Sequence, residues 1–224
     1  MAGVTFEGLD AATVRANLER ARAEIAKAAA VAGRDPGEVE ILAAVKYLPA
    51  GELEVLAEAG IELVGENRAQ ELERKAGAYP AFTWDFIGQL QSRKVKQILP
   101  YVRYIHSVAS DSVLAQLAKH GEPETEVLVE VNVAGEAGKS GVAPGELASF
   151  LARSPVRVVG LMTMPPLAAS PQDNRPHFAA LRELAHDHGL RHLSMGTSQD
   201  YVVAVEEGAT IVRLGTCLYT AGAA

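Results

Sequence analysis

The chain of 224 residues is poor in several features that mark particular classes of protein. Its single cysteine, Cys217, excludes an internal disulfide and is typical of a reducing compartment. No apolar stretch is long enough to cross a bilayer, so we expect no membrane association. The net charge is −7 and no run of lysine or arginine could follow a phosphate backbone, which argues against nucleic acid as a partner. The first eight residues lack a basic region followed by an apolar one, so we expect no signal peptide and a cytoplasmic location.

What the chain does have is 48% hydrophobic residues, enough for the core of one globular domain over residues 1–224. Short apolar runs alternate with amphipathic segments. The apolar runs predict eight strands, at Ile41–Tyr47, Ile61–Gly65, Trp84–Gly88, Tyr104–Val108, Glu126–Val133, Val156–Met162, His192–Met195 and Thr210–Leu214. The amphipathic segments predict helices at Gly51–Ala59, Asn67–Ala76, Ser92–Leu99, Asp111–His120, Pro144–Arg153, Asn174–His188 and Ser198–Glu207. A further helix over Asp10–Ala32 precedes the first strand, with Asp10 as its cap and Gly33 as its stop.

Eight strands alternating with helices predict an α/β protein that closes as a single (β/α)₈ TIM barrel with an extra N-terminal helix. A doubly wound open sheet is the competing architecture. It is disfavoured because no G-x-G-x-x-G turn follows the first strand. No surface feature marks an oligomer interface, so we expect a monomer or a weak dimer.

Lys46 is the most unusual residue, because it lies in the otherwise apolar run Glu40–Leu48. An ammonium ion in such a place is costly unless it is paired, neutralised or used chemically. Such a lysine can form an imine with a carbonyl compound. The alternative is that Lys46 ends the strand and extends into solvent.

Two glycine-containing motifs follow the last two strands and resemble a phosphate cradle. Gly196-Thr197-Ser198 precedes a predicted helix, where unpaired backbone N–H groups favour an anion. Arg213-Leu-Gly215-Thr216 ends the eighth strand, and its glycine would let the backbone approach an oxyanion. Barrels often bind phosphate at these positions. The structural alternative is that Ser198 only caps its helix and Gly215 only turns the chain.

In a closed barrel the first strand lies against the eighth, which would place Lys46 beside this cradle. A phosphorylated aldehyde bound through an imine is then a plausible ligand. Pyridoxal 5′-phosphate (PLP) meets that description, and a sugar phosphate bound as in an aldolase meets it nearly as well. His186 and His188 point to different faces of one predicted helix, so we expect no metal site.

Nine blocks of the sequence, in order, resemble the YggS/PROSC family of pyridoxal phosphate homeostasis proteins. The blocks are Ala44-Val-Lys46, Gly65-Glu-Asn67 with Gln70-Glu71, Phe86-Ile-Gly-x-Leu-Gln91 with Lys94, His106-Ser-Val108, Val131-Asn132, Lys139-Ser-Gly141, Gly160-Leu-Met162, Leu193-Ser-Met-Gly196 and Arg213-Leu-Gly-Thr216. The family is similar in fold to the N-terminal barrel of alanine racemase. The resemblance covers nearly the whole chain.

The resemblance implies a role for particular residues. Lys46 matches the lysine that carries PLP as an internal aldimine, and Arg213 matches the arginine that faces the pyridine nitrogen. The phosphate would be held by the two glycine motifs, and the complete cofactor set is Lys46, Asn67, Met195, Gly196, Thr197, Ser198, Arg213, Gly215 and Thr216. Asn67 and Met195 are expected to line the pocket. No catalytic residue is assigned.

The chain departs from the family pattern at Asp85, Arg93 and Ala109. These positions lie beside the expected pocket, so the departures leave cofactor binding intact but put any role of the three residues in doubt.

Two functions remain open at the level of sequence. The first is a non-catalytic carrier that holds PLP, buffers it and passes it to apo-enzymes. The second is a PLP-dependent amino-acid racemase or lyase. Racemisation in the related two-domain fold uses a tyrosine from a second domain, and we expect that domain to be absent here. Tyr47, Tyr201 and Tyr219 are the available substitutes. The proline-rich loop Met164–Pro176 would border the site, as a lid or as an exposed connector.

Overall fold

Eight parallel strands pair side by side and close into a barrel in the computed structural model, which describes residues 5–220. The strands are β1 Glu40–Ala44, β2 Leu63–Glu66, β3 Thr83–Phe86, β4 Tyr104–Val108, β5 Glu126–Glu130, β6 Arg157–Met162, β7 His192–Thr197 and β8 Ile211–Leu214. Each strand pairs with the next, and β8 pairs with β1. The predicted (β/α)₈ barrel is confirmed and the open sheet is excluded. Residues 1–4 and 221–224, both within the expected domain, lie outside the described residues, and so does half of the N-terminal segment for which we expect no signal peptide.

Helices connect the strands on the outside of the barrel. They are α1 Ala11–Val31, α2 Leu53–Glu58, α3 Ala69–Ala78, α4 Val95–Ile98, α5 Asp111–His120, α6 Leu147–Ala152, α7 Arg175–Asp187, α8 Tyr201–Glu206 and α9 Thr216–Tyr219. The extra N-terminal helix is confirmed. Asp10 caps α1 by accepting a hydrogen bond from the Thr13 amide at 2.8 Å, and Gly33 ends it with a φ of +66°. None of the helices within residues 5–220 is both long and apolar enough to cross a membrane.

Several element boundaries differ from the predicted ones, and two of the differences change the site. Strand β1 ends at Ala44 rather than Tyr47, because the chain turns at Val45, whose carbonyl accepts from the Leu48 amide. Lys46 therefore lies in the turn after the strand. Helix α8 begins at Tyr201 rather than Ser198, so Ser198 does not cap it.

The barrel has an apolar layer on each side of its wall. Between the strands and the helices lies the larger cluster, which includes Ala43, Val64, Met195 and Val212. The barrel interior holds a smaller cluster of Leu42, Tyr104, Leu128, Met162 and Ile211. Side chains alternate along each strand, so Leu42 on β1 and Ile211 on β8 face the interior, whereas Ala43 and Val212 face the helices. Polar groups share the interior with the smaller cluster: Asp85, His106, Ser194 and Arg213 are all buried.

A buried ion pair ties α3 to the ends of β1 and β2. Lys75 Nζ lies 2.6 Å from Glu66 Oε2 and donates to the Val45 carbonyl at 2.8 Å. The side chains of Lys75 and Glu66 are only 1% and 0% exposed. The second Glu66 oxygen accepts from the amides of Asn67 at 2.7 Å and Arg68 at 3.2 Å. One pair therefore fixes the turns that follow two neighbouring strands.

We predict that Lys75→Met destabilises the protein by about 3–5 kcal/mol, because it leaves the Glu66 carboxylate buried without a partner. Lys75→Met combined with Glu66→Gln is expected to recover a large part of this loss, since no buried charge then remains unpaired. Urea denaturation followed by far-UV circular dichroism measures both free energies of unfolding.

The exposed ion pair Arg74–Glu71 on the same helix, at 2.6 Å, provides the matched control. Arg74→Met should leave the denaturation midpoint close to that of the wild type, because solvent screens this pair. Equal destabilisation by the single Lys75→Met and the double variant would mean that lost packing, rather than the unpaired charge, accounts for the effect.

Candidate functional site

Lys46 lies at the carboxyl-terminal mouth of the barrel, in a turn whose backbone is held from two sides. The preceding carbonyl, of Val45, accepts from Lys75, and the Lys46 carbonyl accepts from Arg68 Nη2 at 3.0 Å. The side chain itself is half-buried, and its Nζ lies 4.7 Å from the centroid of the Tyr47 ring. Within residues 5–220 the Nζ atom has no carboxylate within salt-bridge distance and no hydrogen-bond acceptor. The result is a free primary amine on a fixed backbone.

Asn67, which follows β2, the strand next to β1, presents an unsatisfied polar atom. Its amide is anchored by Glu66, and its backbone packs against Gly88 so closely that a Cβ there would lie 2.1 Å from the Asn67 carbonyl oxygen. Its side-chain Oδ1 is buried and has no partner among the described residues. Because a buried unpaired acceptor is costly, this atom favours a ligand that brings a donor.

The loop after β7 is shaped by its own hydrogen bonds rather than by a helix start. Gly196 has a φ of +90°, and a Cβ there would lie 2.6 Å from the Ala204 Cβ, so only glycine lets α8 approach the strand. The Thr197 amide and hydroxyl both donate to Asp200 Oδ1, at 2.7 and 3.0 Å. Asp200 is held in turn by Asn174 at 2.8 Å. The amide and hydroxyl of Thr197 are therefore already used within the protein, and its contribution to the site is its position in a rigid loop.

Ser198 links this loop to the end of β8. Its hydroxyl oxygen accepts from the amides of Gly215 at 3.1 Å and Cys217 at 3.4 Å. A Cβ on Gly215 would meet no protein atom closer than Ala44, at 3.7 Å, so the protein's own packing does not require glycine there. Thr216 is exposed and begins the short helix α9. Backbone N–H groups, a hydroxyl and an open space thus meet at one point, as expected for an oxyanion cradle.

The cradle and Lys46 are neighbours because β1 and β8 pair in parallel. Ala43 lies opposite Leu214 in the register, and Ala44 faces Gly215. The pairing of β1 with β8 therefore places the turn that carries Lys46 next to the strand end that precedes Gly215.

Arg213 lies in the interior just below the mouth. Its Nη1 donates to the carbonyl and hydroxyl oxygens of Ser194, at 2.7 and 2.5 Å, and its Nη2 to the Thr163 carbonyl at 2.9 Å and to Met164 Sδ at 2.9 Å. Burial lowers the pKa of Arg213 to about 10, although the carboxylates of Asp200 and Glu130 favour its charged form. The guanidinium is therefore still a cation at neutral pH. Its Nε–H has no partner among residues 5–220.

Met195 is placed differently from the pocket-lining position expected for it. Its side chain is completely buried in the layer between strands and helices, so it faces away from the barrel interior. Along β7 the inward side chains of His192 and Ser194 alternate with the outward side chains of Leu193 and Met195, so regular strand alternation points Met195 away from the interior. Met195 contributes packing beneath the loop, and its side chain does not line the site.

Sequence reasoning missed two groups of buried polar residues. The first is the Glu66–Lys75 pair; its signal was a lysine on the apolar face of α3, among Ala69, Leu72 and Ala76. The second lies in the barrel interior, where His106 contacts Ser194 and Asp85. Within residues 5–220 no three histidine, cysteine or acidic side chains are grouped as metal ligands.

A free amine, an oxyanion cradle and a buried cation together suit a phosphorylated aldehyde with a further acceptor group. The amine can condense with the aldehyde, the cradle can hold the phosphate, and the Arg213 Nε–H can donate to the acceptor.

Comparisons with known proteins place the chain in a family. Residues 10–222 match the family described as "Alanine racemase, N-terminal domain". The chain is 41% identical over 217 residues to a protein of Aquifex aeolicus named "Pyridoxal phosphate homeostasis protein", covering 90% of this chain and 95% of that one.

Two solved structures are similar to the barrel. A protein of Bifidobacterium adolescentis described as unknown has a TM-score of 0.84 and 31% identity, covering 96% of this chain and 99% of that one. PipY of Synechococcus elongatus, solved with PLP bound, has a TM-score of 0.72 and 31% identity, covering 88% of this chain and 100% of PipY. The chain therefore belongs to the alanine racemase N-terminal domain family and, within it, to the pyridoxal phosphate homeostasis proteins.

Proposed function

We propose that this protein binds PLP through a Schiff-base linkage to Lys46 and serves in PLP homeostasis, buffering the cofactor and passing it to apo-enzymes. The observation that carries the proposal is the free Lys46 amine beside the Ser198–Gly215 cradle. It is supported by the relatives named for PLP homeostasis and by the PLP complex of PipY. We further propose that one barrel domain over residues 1–224 carries this function in the cytoplasm, as a monomer or weak dimer.

Each part of the ligand has a matching group in this chain. Lys46 supplies the nucleophilic amine. The Ser198 hydroxyl, whose oxygen accepts from the amides of Gly215 and Cys217, would donate its hydrogen to a phosphate in the open space beside Gly215. Arg213 offers its Nε–H to the pyridine nitrogen, and Asn67 Oδ1 accepts a hydrogen bond from the cofactor or from a water bound with it. PLP itself supplies the aldehyde and, in enzymes, an electron sink.

Arg213 favours a carrier over an enzyme. A cation that donates a hydrogen bond to the pyridine nitrogen keeps that nitrogen unprotonated, since two adjacent positive charges repel each other. An unprotonated ring is a weaker electron sink, which slows reactions that pass through a carbanion. Arg213 cannot do what a carboxylate would do, which is to accept a hydrogen bond from the protonated ring nitrogen and stabilise its positive charge.

Two of the three tyrosines considered as a second catalytic base already form hydrogen bonds within the protein. The Tyr201 hydroxyl donates to Glu24 on α1. Tyr219 is buried and donates to the Ala44 carbonyl at 3.3 Å, and burial raises its pKa. Tyr47 is partly exposed, and its ring lies beside the Lys46 amine. Racemisation needs a base on each face of the substrate, so a racemase or lyase is the less supported alternative.

The first prediction concerns the attachment of the cofactor. Wild-type protein mixed with PLP should develop the visible absorption of a lysine-linked PLP, and borohydride should fix one PLP per chain, detectable by mass spectrometry. Lys46→Ala should lose both signals, because Lys46 is the lysine that follows the strand paired with β8. Lys27→Ala, which removes an exposed lysine of α1, is the control and should behave as wild type. A wild type that stays colourless in excess PLP would instead favour a sugar-phosphate aldehyde as the ligand of the cradle.

The second prediction concerns the phosphate position. Gly215→Ala should weaken PLP binding at least about tenfold while the thermal midpoint stays near that of wild type, because its methyl fills space that only a ligand would occupy. Gly196→Ala should instead lower stability by more than about 1 kcal/mol, since its φ of +90° and its contact with Ala204 both exclude a side chain. Unchanged PLP affinity in Gly215→Ala would place the phosphate elsewhere.

The third prediction separates carrier from enzyme. Purified protein loaded with PLP and given L-alanine should accumulate neither D-alanine nor a keto acid over many hours, as measured by chiral chromatography. Sustained production that disappears in Lys46→Ala would establish the racemase or lyase alternative instead.

A further inference from the structure

The barrel interior contains a continuous chain of hydrogen bonds that begins at the Arg213 guanidinium. Ser194 Oγ, 2.5 Å from Arg213 Nη1, lies 2.8 Å from His106 Nδ1. On the other side of the ring, His106 Nε2 lies 3.1 Å from Asp85 Oδ2. The side chains of Ser194, His106 and Asp85 are essentially inaccessible to solvent. This series of hydrogen bonds crosses the barrel from β8 through β7 and β4 to β3.

At the far end of this series of hydrogen bonds, Arg103 and a backbone amide keep Asp85 ionised. Arg103 binds both of its carboxylate oxygens, with Nε–Oδ1 at 3.1 Å and Nη2–Oδ2 at 2.8 Å, and the Tyr104 amide donates to Oδ1 at 3.1 Å. Arg103 also pairs with Glu40 at 2.7 Å. Burial alone would raise the pKa of Asp85, but the hydrogen bonds from His106 and Arg103 outweigh it and lower that pKa. Asp85 is thus an acceptor only.

An ionised Asp85 determines the direction of every other hydrogen bond in the chain. His106 Nε2 must carry the hydrogen that faces Asp85. Burial lowers the pKa of His106, with Asp85 acting in the opposite direction and the charges of Arg213 and Arg103 reinforcing the fall. The ring is therefore neutral at pH 7, and Nδ1 is an acceptor. The Ser194 hydroxyl donates to Nδ1, which leaves its lone pairs for Arg213 Nη1.

We propose that His106 is a positioning residue for the cofactor, a role that rests on the proposed function. Acting through Ser194, it sets the rotation of the Arg213 guanidinium and therefore the hydrogen bond that Arg213 Nε–H offers to the pyridine nitrogen. His106 touches neither Lys46 nor the cradle, so its effect is confined to the ring end of the site. Asp85 fixes the tautomer that makes this possible.

Other contacts hold Arg213 less completely. The carbonyls of Ser194 and Thr163 accept from Nη1 and Nη2 but can each be approached over a range of angles. The Ser194 hydroxyl is a second point of attachment for Nη1, and His106 is the one acceptor for its hydrogen within residues 5–220. Without the imidazole acceptor the Ser194 hydroxyl is free to rotate. The hydroxyl hydrogen, rather than the oxygen lone pairs, can then point at Arg213.

The test compares two substitutions of the same histidine. His106→Leu removes the acceptor for Ser194, whereas His106→Asn retains an acceptor oxygen near the Nδ1 position. With PLP labelled with ¹⁵N in the ring, the Leu variant should shift the ring-nitrogen resonance away from the wild-type value and weaken PLP binding about tenfold. The Asn variant should lie closer to wild type in both measurements. The visible band should persist in both, because Lys46 is untouched.

Ser194→Ala supplies an independent check of the pathway. It should reproduce the ¹⁵N shift of His106→Leu, and the double variant should show no further shift, since both changes break the same link. A His106→Leu variant that lowers the thermal midpoint but leaves the ring-nitrogen resonance and affinity at wild-type values would overturn the proposal, leaving His106 with a purely structural role.

The tautomer can be measured without any substitution. In the wild-type protein without cofactor at pH 7, the ring nitrogens of His106 should show the shifts of a neutral imidazole protonated on Nε2. An imidazolium or an Nδ1–H tautomer would also overturn the proposal. The proposed function fails separately, if wild-type protein gives no PLP signal at all.

Discussion

The pairing of the first strand with the last is the contact on which the whole site depends. Lys46 and Gly215 are 169 positions apart in the sequence, yet closure of the barrel brings their strand ends together with Ala43 opposite Leu214. An open sheet would leave β1 and β8 apart from each other. Because ladder hydrogen bonds fix β1 against β8, the turn that carries Lys46 and the loop that begins at Gly215 start from neighbouring points.

Buried charge is the second constraint on this barrel, and it is met in two ways. On the outside of the wall, Lys75 and Glu66 neutralise each other and use their remaining hydrogen-bonding capacity on the backbone of two turns. In the interior, Asp85 is paired with Arg103, whereas Arg213 has no carboxylate in salt-bridge contact within residues 5–220 and relies on neutral acceptors. An arginine without a counterion is expensive to bury. The acceptor of the proposed ligand would lower this cost.

The sequence predicted the fold well and the site in part, and the limits have physical causes. Eight apolar runs are enough to predict a closed barrel, and Lys46 is visible because its charge interrupts such a run. The outward direction of Met195 follows from strand alternation once Ser194 faces the interior, but the sequence does not tell which face of β7 points inwards. The partners of His106 and Lys75 come from other strands and helices, so their pairing follows only from the assembled structure. The sequence also could not show that the Ser198 hydroxyl accepts from the amides of Gly215, just after β8, and Cys217 on α9, because those partners come from a distant part of the chain.

The state of Lys46 suits reversible binding better than it suits catalysis. Its backbone is held by Lys75 and Arg68, so little further ordering of the chain is needed when the amine reacts. Its side chain is half-buried, and within residues 5–220 its Nζ forms no salt bridge or hydrogen bond and lies beside the Tyr47 ring. The proposed linkage would therefore stay open to water or to another amine. An enzyme of this type would be expected to enclose such a linkage and to place a second base opposite the lysine. A rigid turn that carries an accessible amine would instead lower the cost of capturing the cofactor and leave a route for its release.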